Sequence, residues 1–214
     1  MINHNYSHII WDWNGTLFDD VGWNNAVINR MLCTRGLPLL STEEYRRLFC
    51  FPITSFYLRA GFTFEEEPFE ATVEEYLTLY DADNCGNCGL HVGAKAALNS
   101  LRAKGIRQVV LSATQTSRLR AQMQRFDILN FFDEILGLPD NYATSKIEIG
   151  KDYMKRMDVR NILLIGDTLH DYEVAKELGA DCILIANGHQ SRAVLESCPA
   201  PVLASVVNAV NYVQ

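Results

Sequence analysis

Short apolar runs alternate with helical patterns along this chain, and that alternation limits the folds open to it more than any other feature. Ser7–Asp12, Arg107–Ser112, Asp133–Leu138, Asn161–Asp167 and Cys182–Ala186 read as strands. Their middles are continuously apolar, as strands covered on both faces must be. Helical patterns lie between them at Gly93–Lys104, Thr116–Phe126, Ile147–Met157 and Asp171–Leu178, with Gly105 and Gly179 as stops. Val202-Leu203 and a helix from about Ser205 close the sequence. The pattern predicts an α/β fold: a doubly wound parallel sheet, Rossmann-like, with helices on both faces.

One segment departs from the alternation. From about Gly22 to Cys88 only helical patterns occur. Trp23–Thr34 is the first, closed by Gly36-Leu37-Pro38. Ser41-Thr42-Glu43-Glu44 reads as a capping box opening the second. Pro52 suits the first turn of a third, and Pro68–Tyr80 reads as a fourth. Because the insert begins a few residues after the first strand, it is expected to form a helical cap over the carboxyl edge of the sheet. The expected division is residues 1–21 and 89–214 as core and 22–88 as cap.

The chain of 214 residues, 48% hydrophobic and 21% charged, has the composition of an ordinary globular protein. No apolar stretch reaches the ~18 residues of a membrane span. Met1-Ile2-Asn3-His4-Asn5 lacks the basic start of a signal peptide. No membrane partner and a cytoplasmic location are therefore expected. A net charge of −7 argues against general nucleic-acid binding, but a cation and a few local positive groups can still dominate a phosphate pocket. The cysteines Cys33, Cys50, Cys85, Cys88, Cys182 and Cys198 are expected to stay reduced in that compartment. Cys85-Gly86-Asn87-Cys88 has a metal or redox spacing, but no second pair lies near it, and it reads as a Gly-rich loop. His4 and His8 are expected at the surface.

The chemistry concentrates where the predicted strands end. Asp12-Trp13-Asn14-Gly15-Thr16 follows the first strand, where Gly15 permits a sharp turn. Ser112-Ala113-Thr114 follows the strand at 107–111, and Lys146 precedes a helix. Gly166-Asp167-Thr168-Leu169-His170-Asp171 follows the strand at 161–165. In a parallel sheet these ends share one edge, so distant residues converge there. A carboxylate nucleophile, a hydroxyl, a cation and two further carboxylates form the set that phosphoryl transfer assisted by Mg²⁺ requires. Mg²⁺ prefers oxygen ligands, typically one or two carboxylates plus the phosphate.

This order of motifs resembles the haloacid dehalogenase superfamily of aspartate-nucleophile phosphohydrolases across nearly the whole chain. The helical insert resembles the first-type cap of its phosphoglycolate phosphatase and β-phosphoglucomutase branch. The resemblance implies that Asp12 attacks phosphorus and forms an aspartyl phosphate. It implies a Mg²⁺ held by Asp12, the backbone carbonyl of Asn14, Asp167 and Asp171. It implies that Ser112 and Lys146, with Trp13 and Ala113, bind the phosphoryl group of a small phosphorylated metabolite. Lys151 lies within a helix pattern and is a weaker candidate than Lys146.

Asn14 departs from the family pattern, which places a second Asp there as general acid and base. Such a group is typically worth about 10²–10⁴-fold, so if its absence is what limits turnover, Asn14→Asp is expected to raise hydrolysis of monoesters with poor leaving groups, and that of acyl phosphates less. Three readings stay open: slow action or action on good leaving groups such as acyl phosphates, another residue serving as acid, or a binding or regulatory protein with little turnover. The phosphonoacetaldehyde branch has Asp-Trp-Ala-Gly-Thr but needs a cap lysine, and the first lysine here is Lys95. The halide-removing branch does not favour paired aspartates in a Gly-Asp-x-x-x-Asp loop. The cap offers Arg30, Arg35, Arg46, Arg47 and Arg59 with Trp23, Tyr45, Phe49, Phe51 and Tyr57. An arginine facing the cleft would suit a substrate carboxylate or second phosphate. His189-Gln190-Ser191 reads as a loop without an assigned role.

Overall fold

The computed structural model describes residues 6–65, 67–82, 88–139, 146–157 and 161–213. Its frame is a six-stranded parallel sheet in the order β5-β4-β1-β6-β7-β8. The strands are β1 (His8–Trp11), β4 (Arg107–Gln115), β5 (Glu134–Leu138), β6 (Ile162–Gly166), β7 (Asp181–Ile185) and β8 (Val202–Leu203). Asp12 continues the β1 register, its amide bonding the Ile165 carbonyl at 2.9 Å. The chain order jumps at β1, flanked by β4 and β6, which is where open α/β sheets form their ligand crevice.

Alternate side chains of each central strand enter opposite layers. Ile9 and Trp11, Val110, Leu163 and Ile165 pack under α5 (Ala94–Ala103), α6 (Thr116–Arg125) and α10 (Val206–Val213). Ile10, Val109, Leu111, Ile162 and Leu164 pack under α7 (Ile147–Met157), α8 (Leu169–Leu178) and α9 (Arg192–Leu195). Burial on both faces explains the continuous apolar runs.

Helices α1 (Val21–Thr34), α2 (Thr42–Leu48), α3 (Ile53–Arg59) and α4 (Phe69–Ala82) surround a separate cluster that includes Ile28, Met31, Tyr45 and Phe56. Ser41 and Glu44 form the expected capping box. Pro52 sits one residue earlier than expected, at the N-cap of α3 rather than in its first turn. A ribbon too short to show periodicity joins the insert to the core: β2 (Phe18–Asp19) pairs antiparallel with β3 (Gly89–Leu90).

Other expectations are corrected by packing. β4 continues past Ser112 to Gln115 with a shift of register against β5, where a side chain at Gly137 would strike the Thr114 carbonyl. His8 is half-buried in β1 rather than on the surface, and burial lowers its pKa. Cys88 is disulfide-bonded, against the expectation of reduced thiols, while Cys33, Cys50, Cys182 and Cys198 are free. Cys85 and His4 lie outside the described residues. Among the described residues no helix is long and apolar enough to cross a membrane.

Candidate active site

Gly15, at φ 73°, turns the chain immediately beyond β1. Its amide bonds the Phe18 carbonyl at 2.8 Å, and the Phe18 amide returns to the Trp13 carbonyl at 3.0 Å. A side chain on Gly15 would collide with the Asp167 carboxylate and the His189 ring, so the close approach itself requires glycine. The turn leaves the Asp12 carboxylate buried at the sheet edge. Thr16 Oγ1 links it to the neighbouring strand end, donating to Asp12 Oδ2 at 3.3 Å and Asp167 Oδ1 at 2.9 Å.

Lys146, which directly precedes α7, is buried between two carboxylates. Its Nζ lies 2.5 Å from Asp12 Oδ1 and 2.6 Å from Asp171 Oδ1. Asp171 closes the N-terminus of α8: its Oδ2 accepts from the amides of Asp167 and Thr168 and from Thr168 Oγ1, leaving Oδ1 toward Lys146. Ser112 is buried at the cavity wall, accepting from the Thr114 amide at 3.0 Å, and Ala113 lies beside it. Lys151, in contrast, is surface-exposed and paired with Glu177 at 2.8 Å. The Trp13 indole turns away from the site into the core, stacks on Phe18 and donates to Gln122, so only its backbone belongs to the loop.

The charges are unevenly balanced. Burial raises the Asp12 pKa to about 6 against the pull of Lys146. Burial pushes Asp167 up to about 8, with Asp12 and Asp171 adding to the rise and His189 opposing it. Burial works against the Lys146 charge too, but Asp12 and Asp171 outweigh it and hold the ammonium ionised. Oxygens of Asp12, Asp167 and Asp171 lie within 4.8 Å of one another. An all-oxygen set carrying uncompensated negative charge fits a hard divalent cation such as Mg²⁺.

Two further groups of the site were not legible in advance. Asp20 is fully buried and saturated with donors. Its Oδ2 accepts from Asn14 Nδ2 at 2.7 Å, Asn24 Nδ2 at 2.8 Å and the Tyr80 hydroxyl at 2.9 Å, and its Oδ1 from the Gly15 amide and His189 Nε2, each at 3.2 Å. Burial alone would raise the Asp20 pKa, but the His189 charge and these bonds bring it below the usual range. His189 is raised in turn, since Asp20 outweighs its burial. Asn14 is therefore fixed at both ends, with Oδ1 accepting from Thr114 Oγ1 at 2.6 Å. The tight Gly-Thr turn is the only sequence signal that residue 20 folds back on residue 14.

The loop after β7, given no role by its sequence, ties insert to core. His189 bonds the Tyr45 hydroxyl at 2.9 Å and its amide donates to Asp167 Oδ2 at 2.6 Å. Gln190 donates to the Phe49 carbonyl and accepts from the Leu169 amide. Arg46 donates to the Asn187 carbonyl, and the Ser191 amide donates to the Arg46 carbonyl. Asp12, Ser112, Lys146, Asp167 and Asp171 thus form the floor of a cavity of about 750 Å³ roofed by residues of α1–α4.

An arginine does reach the cavity wall, but it is Arg118 of α6, paired with Asp81, rather than one of those the insert offered. Arg30, Arg35, Arg46, Arg47 and Arg59 do not line this cavity. Arg30 is exposed, and Arg35 pairs with Glu67 at 2.6 Å and Glu75 at 2.5 Å, away from the site. Arg47 and Arg59 line a smaller cavity of about 220 Å³ beside Cys50.

The profile of the family described as haloacid dehalogenase-like hydrolase matches residues 9–185. The chain is similar to a phosphoglycolate phosphatase of Caulobacter vibrioides, 23% identical over 203 residues, covering 89% of this chain and 83% of the relative. Its fold resembles that of a haloacid dehalogenase-like family protein of Streptococcus pneumoniae, with a TM-score of 0.82 at 21% identity over 98% of this chain and 99% of the other. It also resembles protein tyrosine kinase A of Mycobacterium tuberculosis, with a TM-score of 0.82 at 20% identity over 99% and 100% of the two chains. These two likenesses are of fold alone.

Proposed function

The chain belongs to the haloacid dehalogenase-like hydrolase family, and on that premise we propose that it is a Mg²⁺-dependent phosphatase acting on a small phosphorylated metabolite through an aspartyl phosphate. The observation that carries this reading is the buried Asp12 beside Lys146 and within 4.8 Å of two further carboxylates. The phosphoglycolate phosphatases of C. vibrioides and of Pseudomonas putida, the latter 24% identical over 189 residues, support it.

Asp12, Asp167, Asp171 through its less occupied Oδ1, and the Asn14 carbonyl would hold Mg²⁺. The cation supplies charge neutralisation at the phosphoryl oxygens. Asp12 attacks phosphorus through one carboxylate oxygen, the bond to the leaving oxygen breaks, and water then cleaves the acyl phosphate. Ser112 and Lys146 orient the transferring oxygens, Lys146 also keeping Asp12 ionised. No carboxyl proton stands at position 14, and the nearby Tyr76 and Tyr80 hydroxyls donate to Asn24 and Asp20. With no acid at position 14 and these hydroxyls engaged, this reading favours substrates with acidic leaving groups.

A second reading, a protein that binds a phosphorylated ligand with little turnover, draws on that same fixed amide at Asn14. Phosphate release from acetyl phosphate and from p-nitrophenyl phosphate, with Mg²⁺ and with excess chelator, separates the two. The phosphatase reading expects release that depends on the metal and disappears in Asp12→Asn. Binding of phosphate without release of product from either compound would favour the second reading.

A further inference from the structure

The walls of the cavity differ from its floor in a way that bears on substrate choice. Above the carboxylates the roof is apolar and aromatic: Phe49, Phe51, Tyr57, Phe69, Val73 and Leu77 face the space. A volume of about 750 Å³ lies within the ~300–1,000 Å³ of sites that enclose a whole organic ligand. Among the described residues, each basic side chain of the lining has a carboxylate of the chain beside it. Lys146 bridges Asp12 and Asp171, Arg118 bonds Asp81 at 2.7 Å, His170 lies 3.1 Å from Glu173 and His189 lies 3.2 Å from Asp20. Glu70 adds a further negative group to the lining. A second anionic group on the substrate would lose its water beside aromatic walls and, among the described residues, would have to draw a basic group away from its partner carboxylate, which is costly.

We infer, resting on the phosphatase reading above, that the substrate is a phosphate monoester whose phosphate is its sole anionic group and whose body is an uncharged apolar or aromatic moiety. A short phosphorylated carboxylate such as 2-phosphoglycolate fits neither the charge nor the size of the space. The phosphate meets the floor, and the body packs against the aromatic roof, where burial of apolar surface supplies affinity.

The test uses phosphonates that cannot be hydrolysed, so binding is read without regard to turnover or leaving group. Calorimetry on the Mg²⁺-loaded protein compares 1-naphthylmethylphosphonate with 3-phosphonopropionate, the isostere of 2-phosphoglycolate. The naphthyl compound is expected to bind on the order of tenfold more tightly or better, and inorganic phosphate should displace it. Phe51→Ala removes a roof side chain that is 37% exposed. It should weaken the naphthyl compound by roughly threefold to tenfold and leave 3-phosphonopropionate unchanged. Equal or tighter binding of 3-phosphonopropionate overturns the inference, as does naphthyl binding that phosphate does not displace. Failure of the phosphatase reading looks different: no ester is turned over, whatever the order of binding.

Discussion

Asn14→Asp is the substitution whose outcome the structure changes most. Read from the sequence, it restores a missing acid. In the fold, Asn14 Nδ2 donates to Asp20 Oδ2 at 2.7 Å, so an aspartate there sets one carboxylate against another. At an effective dielectric constant of about 20, two unit charges at that separation repel by roughly 6 kcal/mol. Keeping one carboxyl protonated at pH 7 costs less, about 4 kcal/mol from its ordinary pKa near 3.9. The introduced group therefore takes up a proton and donates it to Asp20, replacing the lost amide bond. Its folded pKa stands above its unfolded value, so the native variant binds more protons, and its stability relative to wild type falls as pH rises. Denaturant unfolding should show a loss of about 4 kcal/mol at pH 7, shrinking by about 1.4 kcal/mol per pH unit toward pH 5. The proton faces Asp20 rather than the leaving group, so turnover of an alkyl phosphate should not rise. Asn14→Asp with Asp20→Asn should recover most of the stability, because an amide and a carboxylate again face each other. Wild-type stability of the single variant at both pH 5 and pH 8, or faster alkyl ester hydrolysis by it, would refute the reasoning.

Lys146→Ala should lower turnover of acetyl phosphate by about 10²-fold or more, the usual effect of removing a group that stabilises transferring charge. Lys151→Ala should stay within about twofold, since that ammonium lies on the surface beside Glu177; equal effects would show that Lys146 is not the phosphate-side cation. Binding of Mg²⁺ at pH 7 should release protons, because Asp167, held near 8 without metal, must ionise to coordinate it. Titration in buffers of different ionisation enthalpy reads this, and an enthalpy independent of buffer would contradict it. Gly188→Ala should destabilise the protein by about 1–3 kcal/mol, since the added methyl meets the Asp167 carboxylate, and a thermal melt matching wild type would count against that packing.

What the sequence determined by itself is what local patterns encode. Apolar strands such as Ile162–Ile165 announce burial on both faces, and the helical patterns between them require a parallel arrangement. Once the strands are parallel, Asp12, Ser112 and Asp167 must share an edge, so the residues that meet at the cavity floor could be named before any coordinates. Positions that depend on how the chain folds back could not be read this way. Asp20 belongs to the site because a two-residue strand and a left-handed glycine return it to Asn14. His189, 169 residues farther on, meets it only because β7 ends on the same edge. In sequence each arginine of the insert read either as part of a solvated helix face or as an anion binder; in the fold, aromatic side chains of the insert line the cavity and Arg35 lies between glutamates. Hydrophobic periodicity fixes which face of an element is buried; which charged groups then meet is decided by loop geometry and packing between distant segments, and neither is encoded locally.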